Sequence, residues 1–255
     1  MPGRAKSDDY DVPALRRIDQ ILRALASASE PVRANALIEA TELSRSTLYL
    51  LLDSLERRRW ISKCRDGYVM GVGLFELGAA YVRLDRVLQA FRCEAARFVD
   101  RHHEVVQLAV LDGAEVVYLA REDTTQTVRL ISDLGSRLPA HACALGKSLL
   151  ASLDDEQLQQ LLPEQLVPVT PSTVTCRAAL LEQLAEVRRS GVARDNEEVT
   201  IGILCFSAYV GQSATGKRLA VSTSVPVDRL DSHVEPLVIR GIVDLAHRLA
   251  DRLRS

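Results

Sequence analysis

The chain has 255 residues, is 47% hydrophobic and 26% charged, and carries a formal net charge of −2. That is ordinary globular material, long enough for one large domain or two smaller ones. It excludes a helical membrane protein, because no apolar run approaches the ~18 residues a span needs. It also excludes a disulfide framework: five scattered cysteines without CxxC spacing, behind a polar start, read as reduced thiols in the cytoplasm.

The charge is unevenly spread. Residues 1–65 hold 12 Lys and Arg against 9 Asp and Glu, whereas residues 66–255 hold 20 against 25. A basic front suits a polyanionic partner. A head with so small an excess is expected to act together with a second one.

In chain order, MPGRAKSDDY (1–10) reads as a disordered lead-in. Leu15, Ile18, Leu22 and Leu25 recur at helical spacing and predict an amphipathic helix. Arg33 to Ala40 predicts a second helix, Thr41 to Ser44 a turn, and Arg45 to Arg58 a third helix burying Leu48, Leu51, Leu52 and Leu55. Two helices joined this way form a helix-turn-helix, whose second helix fits a DNA major groove. Trp60 to Arg65 and Tyr68 to Met70, around Asp66-Gly67, predict a hairpin closed by an Asp-Gly turn. A helix-turn-helix followed by a hairpin is a winged helix, placed here at residues 11–71. Its outward residues are candidate double-stranded DNA contacts: Ser44, Arg45, Ser46, Thr47 and Tyr49 on the recognition helix for bases, with Arg33 and the wing residues Lys63 and Arg65 on phosphates.

Gly71 and Gly73 break the chain, and residues 72–86 are expected as a linker helix. Residues 87–255 then mix helices and strands, an α+β arrangement. Helices are expected at Val87–Arg101, Ala144–Ser152, Asp154–Leu162, from Thr173 to a Gly191 cap, and at Leu237–Leu253. Strands are expected at 105–111, 115–120, Thr127–Ile131, Ile203–Val210 and Leu219–Val225.

Three stretches in this part carry possible chemistry. In LGSRLPAHACALGKSLLA, from Leu134 to Ala151, Pro139 bends the chain before a helix whose small opening residues leave amide groups free for an anion. Tight helix–sheet packing explains the same small residues. The acidic run Asp195 to Glu198 leads into an apolar strand and suits a metal, a ligand hydroxyl or a solvated turn. Ser222 and Ser224 alternate onto one face of a strand and need partners, either a polar ligand or backbone.

These motifs are similar to those of the IclR family of bacterial transcription regulators, over nearly the whole chain from Leu15 onward. ELSRSTLYLLLDSLERRRWI resembles the family's recognition helix and its exit into the wing. YVMGVGLFELG resembles the strand before the linker. LGSRLPAHACALGKSLLA and GVARDNEEVTIGILCFSAYV resemble the two signature runs of the effector domain. The resemblance implies a winged-helix head and a GAF-like domain that binds a small organic effector, such as an organic acid or aromatic metabolite. Matched residue by residue, it implies effector contacts at Ala144, Leu145, Asp195, Cys205, Ser222 and Ser224. It also implies homodimers that pair into dimers of dimers, with no cofactor, no metal and no membrane partner.

Three positions depart from the family pattern. Leu50 replaces a frequent basic residue, leaving more of the base reading to Arg45, Ser46, Thr47 and Tyr49. Leu145 is larger than the usual Gly or Ala and narrows the pocket. Tyr209 stands where Pro is usual. Rival readings are a binding or interaction module that does not read DNA sequence, a metal site at Asp195, Glu197, Glu198 and His141, and an enzyme using Cys205, His141 and Asp195.

Overall fold

The computed structural model describes residues 12–124 and 132–254. The expected lead-in and the expected strand Thr127–Ile131 lie outside the described residues. The chain falls into two compact units that divide between Leu84 and Asp85.

The first unit contains α1 (Pro13–Ala26), α2 (Ala34–Thr41), α3 (Arg45–Arg57), β1 (Ile61–Cys64), β2 (Gly67–Met70) and α4 (Val72–Leu84). Pro13 opens α1, where its missing amide costs nothing. The buried stripe of α1 is Ile21 and Leu25, while Leu15 faces outward. These two pack with Leu37 of α2, with Leu48, Leu52 and Leu55 of α3, and with Ile61 and Tyr68 of the hairpin. A left-handed Glu42 ends α2, and Ser44 caps α3 by accepting a bond from the Thr47 amide.

The wing differs from expectation in its turn. Cys64 opposes Gly67, so the two turn residues are Arg65 and Asp66. Gly67 serves a different purpose. Val32 and Tyr68 exchange backbone hydrogen bonds of 2.9 Å. A Cβ at position 67 would then lie 2.5 Å from the Val32 carbonyl oxygen, and φ there is +153°. Only glycine admits that approach.

The second unit is a six-stranded antiparallel sheet with helices on both faces. Its elements are α5 (Arg86–His102), β3 (Val105–Asp112), β4 (Glu115–Glu122), β5 (Arg137–Pro139), α6 (Ala144–Ala151), α7 (Asp155–Leu161), α8 (Arg177–Ser190), β6 (Ala193–Asn196), β7 (Ile203–Gln212), β8 (Arg218–Pro226) and α9 (Val234–Arg254). The strand order is β5-β4-β3-β8-β7-β6. Phe91 and Phe98 of α5, with Ile242, Leu245 and Leu249 of α9, pack on one face against Leu108, Phe206 and Val221. Leu145, Leu149 and Leu150 of α6, with Leu180 and Leu184 of α8, cover part of the other against Ala109, Val116 and Ala220. Asp85 starts α5 cleanly, accepting from the amides of Val87 and Leu88.

Helix α8 begins at Arg177 rather than Thr173. The Thr173 hydroxyl accepts from the Val169 and Thr170 amides and donates to the Glu198 carbonyl, so it closes a loop instead of opening a helix. Among the described residues no helix is long and apolar enough to cross a membrane.

Candidate functional site

The first unit presents its candidate residues on the outside. Ser44, Arg45 and Ser46 are exposed at the start of α3, Thr47 is half-buried, and Tyr49 is 46% exposed. The Ser44 hydroxyl lies 3.2 Å from that of Ser46 and 2.9 Å from that of Thr47. Arg45 donates to the Asn35 side chain on α2, which steadies the guanidinium beside the opening of α3. Arg33 at the start of α2, and Lys63 and Arg65 in the wing, are also exposed. Leu50, where a basic residue is usual, is 71% exposed on α3.

In the second unit, Ala144, Leu145, Asp195, Cys205, Ser222 and Ser224 all line one cavity on the α6 face of the sheet. Sheet register explains the convergence. Asp195 of β6 faces Cys205 of β7, and Cys205 faces Ser224 of β8. In the next row Ser207 faces Ser222, which faces Gln107 of β3. Opposed residues point to the same face, so two adjacent rows bring the polar groups together. Helix α6 closes the cavity above them. Ala144 and Leu145 occupy its first turn, where amides lack intrahelical acceptors. A Cβ on Gly146 would lie 2.0 Å from the Ala140 carbonyl oxygen, so the glycine lets α6 seat this low.

Other lining residues were not singled out in the sequence. Gln107 donates to the Ser132 hydroxyl at 2.6 Å and to its carbonyl at 3.1 Å. Tyr118, Cys143, Leu138, Val199, Thr200 and Ile203 complete much of the wall. The signal for Gln107 was a polar residue inside the apolar run Val105 to Leu111, which alternation sends to the same face as a ligand. The cavity is narrow, about 20 Å³, space for little more than a water.

The acidic run is not a solvated turn. Asp195 is 2% exposed and Glu198 4%. Asp195 accepts from the Glu198 amide at 2.7 Å. The Glu198 carboxylate in turn pairs with Lys147, a buried ammonium on α6 that also donates to the Arg194 carbonyl. Burial raises the Asp195 carboxyl to about 6, with the neighbouring Glu198 charge adding to the rise and the Glu198 amide opposing it. Burial also pushes Cys143 up to about 12 and Cys205 upward, so both thiols stay protonated near neutrality. Cys205 bonds to Ser224 at 3.2 Å.

His141 does not line this cavity. Its Nε2 lies 3.0 Å from the Val167 carbonyl oxygen. The structure therefore does not assemble Cys205, His141 and Asp195 into one nucleophilic site. Among the described residues no group of three or more His, Cys, Asp and Glu side chains could hold a metal ion.

A winged helix-turn-helix joined to an α+β unit with a polar internal cavity defines a class: two-domain DNA-binding regulators with a small-molecule sensor. Comparisons agree at both ends. The IclR helix-turn-helix domain matches residues 14–63, and the bacterial transcriptional regulator IclR C-terminal domain matches residues 79–250. The chain belongs to the IclR family of bacterial transcriptional regulators. It is 33% identical to the HTH-type transcriptional regulator Rv1719 of Mycobacterium tuberculosis over 86% of this chain and 84% of that protein. It also resembles the IclR of Thermotoga maritima, with 26% identity, a TM-score of 0.76, and coverage of 94% of this chain and 98% of that one. An IclR homologue from Microbacterium hydrocarbonoxydans, solved in complex with 4-hydroxybenzoate, matches with 25% identity, a TM-score of 0.83, and coverage of 94% and 99%.

Proposed function

We propose that this protein is a cytoplasmic transcriptional regulator and not an enzyme, and that a small organic effector in the second unit modulates operator binding by the first. The observation that carries the reading is the convergence of Ala144, Leu145, Asp195, Cys205, Ser222 and Ser224 on one cavity, behind a head whose α3 offers Ser44, Arg45, Ser46 and Tyr49 to the outside. In functional terms the chain divides into a winged helix at 11–71, a linker helix at 72–86 and an effector domain at 87–255.

The effector is an organic acid or aromatic metabolite. The amides of the first turn of α6 suit a carboxylate, and the serines suit hydroxyls. The 4-hydroxybenzoate held by the Microbacterium relative has both kinds of group. Binding selects among arrangements of the heads, and the effector's differential affinity for those arrangements sets how far operator binding moves.

Two heads act together in a homodimer. Helix α4 supports this: Phe75 is 75% exposed, Leu77 58% and Leu84 85%, an apolar surface that a second copy would cover.

The test has two arms on the full chain. Operator DNA is titrated at two salt concentrations with wild type and Arg45→Ala, and both proteins are screened by thermal shift against small acids and phenolics. Wild type is expected to show a steep salt slope. Arg45→Ala is expected to lose about 1–3 kcal/mol of operator affinity while keeping the same ligand-induced stabilisation. Loss of both functions in the variant makes Arg45 structural and removes it from the reading surface. Salt-independent binding ends the regulator reading.

A further inference from the structure

The second unit contains another cavity that shares no lining residue with the one described above. It lies among α8, β6 and α9 and has a volume of about 400 Å³, within the range of sites that hold small molecules. Strand alternation separates the two cavities by one strand: Asp195 faces the first, while its neighbours Arg194 and Asn196 line the second.

Three features mark the second cavity as a built site. The first is that buried charges form part of its wall. Lys147, 1% exposed, and Glu198, 4% exposed, both line it and are paired with each other. The second is that the other charges around it are also partnered within the chain. Arg194 pairs with Glu235 at 2.5 Å and lies over the Phe206 ring, and Glu186 pairs with Arg189 at 2.7 Å. A charged ligand would have to break one of these pairs, whereas a neutral one leaves them intact. The third is an unspent acceptor. Gln183 lines the cavity, and its Oε1 is buried without a hydrogen-bond partner. Such an atom costs free energy until a donor reaches it. Beside it Val187, Val192 and Ile239 supply an apolar surface.

We propose that this cavity is a second small-molecule site, built for a neutral polyol whose hydroxyl donates to Gln183 and whose C–H face rests on Val187, Val192 and Ile239. The site stands whether or not the first cavity holds the effector.

The experiment uses the full chain with labelled Ile and Val methyl groups, observed by NMR. The probes are myo-inositol, ribitol and glucose, with acetate and ethylammonium as charged controls. Saturable shifts at Val187, Val192 and Ile239 with at least one polyol are expected, while Val199 and Ile203 of the first cavity stay in place. Gln183→Leu is expected to weaken that binding about tenfold, the loss of roughly one hydrogen bond, and to keep the melting temperature of the free protein or raise it. Should Gln183→Leu not fold, Ile239→Phe, which fills the space, decides in its place by abolishing the polyol shifts at Val187. The proposal fails if no polyol moves these methyls at millimolar concentration, or if the charged controls bind more tightly. It fails equally if a folded Gln183→Leu or a folded Ile239→Phe binds as wild type does. Methyl shifts confined to Val199 and Ile203 would assign the polyol to the first cavity. Shifts produced by dilution alone would assign the surface to a second copy of the chain.

Discussion

Asp195 shows what a single buried residue costs and what it offers. Its carboxyl is raised to about 6 by burial, with Glu198 contributing, although the Glu198 amide and Lys147 favour its charge. The unfolded chain releases this proton near 3.8. Between those two values the native state therefore binds more protons than the unfolded state. Stability accordingly falls as pH rises through that window and stays lower above it. Asp195→Asn removes the charge and retains an oxygen for the Glu198 amide. It is expected to stabilise the protein at pH 8 by on the order of 1–3 kcal/mol, with the gain disappearing by pH 4. Urea unfolding at the two pH values measures both. An equal gain at each would show that the charge of Asp195 is not what costs stability. A carboxylate that costs stability in this way, within a cavity of hydroxyls and amides, fits a residue kept for binding, and the same variant is expected to lose its effector response.

At the scale of elements, the legible parts were those with a sustained period. Helices α1 to α6 and α9, and strands β3, β7 and β8, carry apolar residues at helical or alternating spacing, and their places follow from it. The short edge strands were not legible: β5 has three residues and β6 four, and ARDN of β6 reads as a polar run. Pairing with β7 makes β6 a strand, and a cross-strand partner is invisible in the local sequence. The same limit hid Gln107 and Tyr118. Conversely, the small residues before Gly146 announced a close approach that the fold contains. Gly146→Ala places a methyl where the Ala140 carbonyl oxygen is only 2.0 Å away. Helix α6 must then rise from the sheet, at a cost of about 1–3 kcal/mol or more. Gly78→Ala in α4 meets nothing within 4 Å and is expected to be neutral or to stabilise by up to ~1 kcal/mol through helix propensity. Thermal unfolding of the two variants compares them directly. A Gly146→Ala protein as stable as wild type would show that α6 does not depend on that contact.

For the whole molecule, the question is how a weakly basic head reaches useful affinity. Residues 1–65 carry an excess of only three positive charges, so one head makes few phosphate contacts and binds weakly. Joining two heads raises the effective concentration of the second and multiplies affinity by about 10²–10⁴ without any new contact. Helix α4 is suited to make that join. Its sequence VGLFELGAAYVRL has polar residues only at Glu76 and Arg83, yet Gly73 is its one buried residue. A helix apolar on nearly every side requires cover, and the single chain leaves Phe75, Leu77, Val82 and Leu84 exposed. The double substitution Phe75→Glu and Leu84→Glu puts like charges at that surface, while neither site belongs to the core of the head. Sedimentation is expected to show the double variant as a monomer under conditions where wild type is a dimer, with the helical content of the head preserved by circular dichroism. Operator affinity is expected to fall by the avidity factor, about a hundredfold or more, and the salt slope to fall to roughly half because one head replaces two. A variant that stays dimeric places the join elsewhere. A monomer that binds the operator as tightly as wild type would mean that each head reads DNA alone, and the coupling of effector to operator would then have to act within a single chain.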